Sequence, residues 1–338
     1  MKIAFFEITP DDKRYFEDGL RDAQLLFTED KLDKDHLPQG ELAEVEAISV
    51  FTKSKIDKET MTAFPNLKLI ATRTTGYDHI DLEAAAARGI TISNVPSYGE
   101  NTVAEFTFGL ILSVSRKIFK AYDQIKETGS FSLEGLQGFD LLGKTIGVVG
   151  TGRIGKNVIK IANGFGMKVI AYDMYPSEQL TKDFGVQYVS FNELLGKADI
   201  ITFHVPDLPE TRHMINMENI DLIKQGAILI NTARGPVVET EALVKALNSG
   251  ILGGAGLDVL EEEVATKDEV EFLIHGREDG HNLKTILENH LLIDMENVII
   301  TPHNAFNSKE ALQRILDTSA DNIKKFIEGN PANIIKSK

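Results

Sequence analysis

Three glycines lie between a short apolar run and a helical segment, and they constrain the fold more than any other feature. The apolar run Thr145–Val149 leads directly into the motif Gly150-Thr151-Gly152-Arg153-Ile154-Gly155. Gly150 permits a tight turn, Gly152 lets the backbone approach a pyrophosphate, and Gly155 lets strand and helix pack closely. The start of the helix offers N–H groups and a partial positive charge to phosphates. The sequence therefore predicts a dinucleotide-binding βαβ unit.

An acidic residue follows the next predicted strand. Asp173 directly follows the predicted strand Lys168–Tyr172. A carboxylate that binds the ribose lies about 20 residues after the glycine motif, and Asp173 is close to that position. Such a carboxylate accepts hydrogen bonds from the ribose hydroxyls of NAD and repels the additional phosphate of NADP. The alternative is a turn aspartate, but the glycine motif favours NAD.

Short apolar runs alternate with amphipathic stretches along most of the chain, which is typical of parallel α/β domains. The length of 338 residues suits two domains. The predicted strands are Ile3–Ile8, Val45–Phe51, Leu67–Thr72, Thr91–Val95, Thr145–Gly150, Lys168–Asp173, Asp199–Val205, Ala227–Thr232, Gly254–Leu260 and Val298–Thr301. The predicted helices include Asp11–Arg21, a segment with Asp81 as N-cap, one long helix from about Asn101 to Thr128, and Lys309–Glu328.

Composition excludes several classes of function. The net charge of -15 argues against nucleic acid or an anionic membrane as a partner, and no cysteine is present for disulfides or thiolate chemistry. No apolar run approaches the ~18 residues of a membrane span, and Met1–Glu7 reaches a carboxylate too early for a signal peptide. We expect a soluble, cytoplasmic protein.

Three histidines in the charged stretch Glu261–Asn297 invite a metal hypothesis. This stretch interrupts the alternation and is interpreted as an insertion with some helix. His275, His281 and His290 match no metal-ligand spacing, so solvated histidines and no metal are expected.

Reactive side chains follow three predicted strands. Arg234, Glu263 and His303 come after Ala227–Ile230, Gly254–Leu257 and Val298–Thr301, and the carboxyl ends of parallel strands meet at one edge of the sheet. An arginine grips a carboxylate through two parallel hydrogen bonds. A histidine donates a proton to a carbonyl oxygen, and a neighbouring acid favours its protonated form. Singly, each residue could be an ion pair, a surface acid or a loop residue; together they predict hydride transfer to a ketone.

Several motifs carry a family resemblance over nearly the whole chain. They are Thr74–Asp81, Asn94–Tyr98, Gly150–Gly155, His204–Pro206, Ile230–Gly235, Gly256–Val259 and Thr301–His303. In order and spacing the chain resembles the D-isomer-specific 2-hydroxyacid dehydrogenases, and within them the D-lactate dehydrogenases. The resemblance implies two Rossmann-like or flavodoxin-like parallel-sheet domains separated by a cleft. Residues 1–100 with 305–338 would form a discontinuous substrate domain, and residues 101–304 an NAD-binding domain that also makes a homodimer.

The resemblance also implies roles for individual residues. Arg234 would bind the substrate carboxylate, His303 would be general acid in reduction and base in oxidation, and Glu263, five positions after Asp258, would be its partner. The substrate-binding residues would be Thr75, Gly76, Tyr98, Arg234 and Phe306. The NAD-binding residues would be Gly150, Gly152, Arg153, Ile154, Gly155, Asp173, Val205, Pro206, Thr211, Thr232, Ala233 and Asp258.

One departure from the family pattern bears on the substrate. D-Lactate dehydrogenases have an aromatic pair after the catalytic histidine, whereas here Phe306 is followed by Asn307. The expected reaction is reduction of pyruvate to D-lactate. The alternatives are a larger or different keto acid, such as phenylpyruvate, hydroxypyruvate or glyoxylate, and a non-catalytic NAD-sensing scaffold like the corepressors built on this fold.

Overall fold

The computed structural model describes residues 1–37, 40, 42–263 and 282–335. The strands, in chain order, are β1 Lys2–Phe5, β2 Gln24–Phe27, β3 Ala47–Val50, β4 Leu69–Thr72, β5 Thr91–Ser93, β6 Thr145–Val149, β7 Lys168–Tyr172, β8 Gln187–Tyr188, β9 Ile200–Phe203, β10 Ala227–Asn231, β11 Leu252–Leu257 and β12 Val298–Ile300. The helices are α1 Pro10–Gly19, α2 Lys58–Thr62, α3 Leu82–Ala87, α4 Glu100–Ser115, α5 Ile118–Thr128, α6 Arg153–Gly164, α7 Glu178–Phe184, α8 Phe191–Lys197, α9 Thr240–Asn248, α10 Leu283–Asp294 and α11 Lys309–Ile327.

The chain divides into two units: Met1–Tyr98 with Ser308–Lys338, and Gly99–Asn307. The first contains a parallel five-stranded sheet in the order β2-β1-β3-β4-β5. Both faces of this sheet are covered, because β1, β3 and β4 are buried along their length. The C-terminal helix α11 belongs to this unit and packs Ile323 against the cluster that holds Phe5 and Phe16.

The second unit contains a parallel seven-stranded sheet in the order β12-β11-β10-β9-β6-β7-β8. The chain builds outward from β6 to β7 and β8, then returns to β9 on the other side of β6. This reversal makes the carboxyl ends of β6 and β9 the switch point at which such sheets bind ligands. The prediction of two parallel-sheet α/β domains is confirmed.

The predicted helix from Asn101 to Thr128 is wrong: α4 and α5 are separate helices. Lys117 adopts the left-handed conformation with φ 52° between them. The Ser115 carbonyl accepts a hydrogen bond from Phe139 N at 3.0 Å, and that tertiary bond replaces the one a continuing helix would make. Neither proline nor glycine marks this break in the sequence.

Other differences are small. The predicted strand Gly254–Leu260 is shifted, since β11 runs from Leu252 to Leu257. The edge strands β2 and β8 were not predicted, because each is short and half-exposed. Asp81 is the N-cap of α3, as predicted, and accepts a hydrogen bond from Ala84 N at 2.9 Å.

Of the three histidines considered as metal ligands, His275 and His281 lie outside the described residues, whereas His290 lies in α10. Among the described residues no helix is both long and apolar enough to cross a membrane.

Candidate active site

The glycine motif joins β6 to α6 in a tight turn. Gly150 has φ 89°, and a Cβ atom there would lie 2.6 Å from the His204 carbonyl oxygen. A Cβ atom at Gly155 would lie 2.0 Å from the Gly150 oxygen, whereas one at Gly152 would meet nothing within 4 Å. Helix α6 has no acidic residue in its first turn. The motif therefore leaves open space at the positive end of a helix, which suits a pyrophosphate.

The side chains inside the motif point in different directions. Ile154 packs against a buried cluster of the second unit. Arg153 Nη1 lies 3.8 Å from Glu100 Oε1, and the Arg153 side chain is 66% exposed.

Asp173 follows β7 and is hydrogen-bonded to the glycine motif. Its Oδ2 accepts from Thr151 N at 2.6 Å and from Thr151 Oγ1 at 2.9 Å, and its Oδ1 accepts from Tyr175 N at 2.8 Å. The Tyr188 hydroxyl donates to Thr151 Oγ1 at 3.0 Å. The carboxylate predicted for the ribose thus lies beside the glycine turn. Sequence reasoning missed Tyr188, because nothing local distinguishes this residue of β8.

The loop after β9 carries Val205, Pro206 and Thr211. Thr211 Oγ1 donates to the Pro206 carbonyl at 2.5 Å and accepts from Leu208 N at 2.9 Å, which closes the loop. His204, just before it, is a partly buried histidine whose pKa is lowered to about 3 by desolvation. Its Nε2 lies 3.0 Å from Thr202 Oγ1. His204 is therefore a neutral residue of the strand end.

Arg234 follows β10 on a loop that Asn231 organises. The Asn231 amide donates to the Arg234 carbonyl at 2.8 Å and accepts from Ala233 N at 3.0 Å. Arg234 Nη1 donates to the Ala233 carbonyl at 2.8 Å. Thr232 is buried, and its hydroxyl lies 3.0 Å from that of Thr107 in α4. Asn231, which was quoted only as part of a motif, is thus a residue that positions the Arg234 loop.

Asp258 follows β11 and holds the loop that carries His303. The buried carboxylate accepts from Thr301 Oγ1 at 2.5 Å and from Asn304 N and Ala305 N, each at 2.8 Å. Burial raises the pKa of Asp258, against the opposing effects of these hydrogen bonds and of the nearby His303. His303 N also donates to the Asp258 carbonyl at 2.9 Å.

His303 and Glu263 form an ion pair when the imidazole is protonated. His303 Nδ1 lies 3.2 Å from Glu263 Oε2, and the two side chains are 37% and 20% exposed. His303 adopts φ 55°, a left-handed conformation that is uncommon outside glycine. Of the acidic run, Glu261 points elsewhere and bonds His213 at 2.7 Å. The structure therefore brings Glu263, and not Glu261, to the imidazole.

The three predicted catalytic residues follow adjacent strands. In the sheet β10 pairs with β11 and β11 with β12, with Asn231 opposite Leu257 and Leu257 opposite Ile300. Arg234, Glu263 and His303 accordingly leave the same edge of the second unit's sheet.

The first unit holds Thr75, Gly76 and Tyr98. Thr75 is exposed after β4, its hydroxyl donates to the Val95 carbonyl at 2.7 Å, and Thr74 Oγ1 donates to the Gly76 carbonyl at 2.5 Å. The Tyr98 carbonyl accepts from Arg314 Nε in α11 at 2.6 Å. Phe306, by contrast, belongs to the second unit and is partly buried.

Arg73, next to this turn, was missed by sequence reasoning. It is 3% exposed and donates to Ser49 Oγ at 2.9 Å and to the Phe6 and Glu7 carbonyls at 2.6 and 3.0 Å. Burial lowers the pKa of Arg73 to about 10. The guanidinium ties the turn after β4 to β3 and to the residues that follow β1. Its partners lie far away in the chain, so the sequence gives no sign of this role.

Known proteins resemble the chain throughout. Residues 108–305 match the model of the D-isomer specific 2-hydroxyacid dehydrogenase, NAD binding domain. The chain is 39% identical to 2-hydroxyacid dehydrogenase homolog 1 of Schizosaccharomyces pombe, with 100% of both chains covered. It is 38% identical to a glyoxylate reductase of Thermococcus litoralis, over 88% of this chain and 87% of that one. A crystal structure of D-lactate dehydrogenase from Aquifex aeolicus, complexed with NAD and lactic acid, superposes with a TM-score of 0.87 at 37% identity, covering 97% of this chain and 96% of that one.

The residues of the second unit fit NAD. Open space at Gly152 lies at the start of α6, and the Asp173 carboxylate lies beside this turn, an arrangement that suits a dinucleotide. Fold, glycine motif and comparisons agree, and NAD is the cofactor. The chain belongs to the D-isomer specific 2-hydroxyacid dehydrogenase family and is an oxidoreductase.

Proposed function

We propose that the protein reduces a small 2-keto acid to the D-2-hydroxy acid, with pyruvate and D-lactate as the main pair. The observation that carries this proposal is the His303–Glu263 pair, 3.2 Å apart, at the edge where Arg234 also leaves the sheet. The D-lactate dehydrogenase of Aquifex aeolicus, 37% identical, supports the choice of substrate.

Each catalytic residue has one task in this reaction. The cofactor supplies the hydride that reduces the carbonyl carbon. Arg234 holds the substrate carboxylate through two parallel hydrogen bonds and orients the carbonyl. His303 gives its Nε2 proton to the carbonyl oxygen, while Nδ1 keeps its proton toward Glu263. Backbone N–H groups of Thr75 and Gly76 provide further donors to the carboxylate.

The cofactor contacts are proposed residue by residue. Gly150, Gly152 and Gly155 shape the pyrophosphate turn, and Asp173 binds the ribose. The other residues proposed around the cofactor are Arg153, Ile154, Val205, Pro206, Thr211, Thr232, Ala233 and Asp258. The Asp258 carboxylate already accepts three hydrogen bonds from the His303 loop. We therefore infer that Asp258 contributes to cofactor binding by holding this loop in place, and not by a hydrogen bond from its carboxylate to the cofactor.

A second candidate substrate class has support of its own. The relatives include glyoxylate reductases and a glycerate dehydrogenase of Methylorubrum extorquens that is 36% identical. Asn307, exposed beside Phe306, also replaces the second aromatic residue expected for D-lactate dehydrogenases. Glyoxylate and hydroxypyruvate are therefore the alternative substrates, ahead of phenylpyruvate.

Domain roles and assembly are part of the proposal. Residues 1–100 with 305–338 would bind substrate, and residues 101–304 would bind NAD. A homodimer would form through the second unit, where α5 and the segment after it expose apolar side chains. These are Ile118, Phe119, Tyr122, Ile125, Phe131 and Leu133, with Phe131 and Leu133 82% and 83% exposed.

The deciding experiment follows NADH oxidation at neutral pH with pyruvate, hydroxypyruvate, glyoxylate and phenylpyruvate, with chiral analysis of the product. We expect the highest kcat/KM with pyruvate and D-lactate as the product. L-lactate as product would contradict the proposal, and preference for glyoxylate or hydroxypyruvate would replace pyruvate with the alternative class. NADH binding without any turnover would favour the NAD-sensing scaffold.

A further inference from the structure

The Glu261 side chain joins three segments of the second unit. Its Oε1 lies 2.7 Å from His213 Nε2, in the loop after β9. Its Oε2 accepts from Thr240 N at 2.8 Å and from Thr240 Oγ1 at 2.7 Å, at the start of α9. The side chain is 12% exposed. This carboxylate therefore ties the segment after β11 to two other elements.

The backbone around Glu261 is fixed as well. Asn289 in α10 donates its amide to the Glu261 carbonyl at 2.7 Å. The loop that carries Arg234 packs directly against this segment, because a Cβ atom at Gly235 would lie 2.0 Å from the Leu260 carbonyl oxygen. A displacement of Glu261 would consequently reach both the Arg234 loop and the residues that follow Glu261.

Glu262 shows why such an anchor is needed. It adopts φ 50°, a left-handed conformation that is unfavourable for a residue other than glycine and persists only where the surroundings impose it. The turn at Glu262 lies between the anchored Glu261 and Glu263, whose Oε2 is 3.2 Å from His303 Nδ1. The bonds of Glu261 hold one end of this turn.

We propose that Glu261, together with His213, is a positioning residue that holds Glu263 against His303 and thereby sets the pH range in which His303 donates its proton. The inference rests on the roles of Glu263 and His303 in the proposed function. Glu261 itself touches neither substrate nor cofactor in this scheme.

The experiment has to distinguish the effects of the ionisable groups on the two sides of the turn. His303 faces the carboxylates of Glu263 and Asp258. Glu261 faces His213 and, from α10, Glu288, whose pKa is raised by burial and by the charges of Glu241 and Glu261. A double-variant cycle separates an effect of Glu261 that runs through Glu263 from one that does not.

The experiment measures the rate of keto acid reduction against pH for the wild type, Glu261→Ala, Glu263→Gln and the double variant. Loss of the Glu263 charge leaves the protonated imidazole without its partner, so the pH at which the rate falls by half moves down by about 1 pH unit. Glu261→Ala should move it in the same direction by about half as much. The double variant should match Glu263→Gln alone, since Glu261 acts through Glu263.

Two outcomes would overturn the inference: an unchanged midpoint in Glu261→Ala, or a shift in the double variant that equals the sum of the two single shifts. Glu241→Gln is the matched control, because it removes a negative charge next to Thr240 without touching the Glu261 bonds, and it should leave the midpoint unchanged.

A second variant covers the case in which Glu261→Ala fails to fold. His213→Ala changes a side chain that is 37% exposed and should give a smaller shift in the same direction. If the wild type reduces none of the keto acids, the proposed function fails, but the inference is still decided by NMR titration of the His303 imidazole. The inference is supported if the titration midpoints of the His303 imidazole rank in the same order among the variants as the shifts given above. It is rejected if the midpoints are identical.

Discussion

Asp258 and Glu263 act on His303 from different places in the same segment. The buried Asp258 carboxylate holds the backbone of the His303 loop through Asn304 and Ala305. Glu263 is 20% exposed and faces the imidazole itself. One acid therefore fixes where the histidine lies, and the other faces its Nδ1 atom.

Replacing His303 with Ala should remove the proton donor without disturbing the cofactor turn. We expect reduction to slow by about 10²- to 10⁴-fold, the usual contribution of a positioned acid, with NADH affinity unchanged. His36→Ala, a change at an exposed histidine of the first unit, is the matched control and should retain full activity. Near-normal turnover in His303→Ala would exclude His303 as the acid.

Asp173 should determine the preference between the two nicotinamide cofactors. In its proposed role the carboxylate would accept hydrogen bonds from the ribose hydroxyls of NADH and repel the additional phosphate of NADPH, so Asp173→Ser should weaken NADH binding more than NADPH binding. The measurement is the ratio of the two Kd values by fluorescence titration. Asp183→Ser, at an exposed aspartate on α7, serves as the control. A ratio that does not change would contradict the assignment.

At the scale of elements, two glycines of the β6–α6 turn have different surroundings. Gly155 is required because the Gly150 carbonyl lies against it, whereas Gly152 borders open space. Packing therefore requires glycine at position 155 but not at position 152, where we propose that ligand binding requires it.

A pair of alanine variants distinguishes these two roles. Gly155→Ala should lower the free energy of unfolding by about 1–3 kcal/mol, because the methyl group overlaps the Gly150 oxygen. Gly152→Ala should leave the melting temperature nearly unchanged but raise the Kd of NADH by about 10-fold or more, since it blocks backbone approach to the pyrophosphate. Calorimetry and NADH titration measure both variants. Equal effects on stability would refute the distinction.

Asp199 couples two central strands through its charge. Burial alone would raise its pKa, but hydrogen bonds from Lys224 and Thr145 N, each at 2.8 Å, outweigh it and lower the pKa below 3.8. A lowered carboxyl pKa gives stability that is present above the unfolded value and lost as pH falls through the folded one.

Asp199→Asn should therefore be less stable than the wild type at pH 7 by about 1 kcal/mol. The difference should shrink as the pH is lowered below about 4, where the wild-type carboxylate becomes protonated. Urea unfolding at several pH values checks this, with the exposed Asp221→Asn as control. A difference that is independent of pH would show that the charge is not responsible.

At the scale of the whole molecule, α5 and the segment after it expose several apolar side chains, through which we propose that the protein dimerises. Phe131 and Leu133 are almost fully exposed, unlike the buried apolar residues of α4. Such a patch is typical of an interface between subunits.

Light scattering after size exclusion should give the mass of a dimer for the wild type. Phe131→Asp with Leu133→Asp should produce a monomer, because charges cannot be buried unpaired in an apolar interface. Leu222→Asp, at another exposed leucine of the second unit, should leave the dimer intact. A wild-type monomer would reject the assembly.

The sequence alone determined the two parallel sheets and NAD binding, because strand periodicity and a glycine turn are local properties that a few consecutive residues express. It also predicted that Arg234, Glu263 and His303 leave one sheet edge, since adjacent parallel strands end together. It did not reveal the break at Lys117, the buried Arg73 or the bonds of Glu261 to His213 and Thr240. Those features depend on groups far apart in the chain, which only the tertiary structure brings within hydrogen-bonding distance.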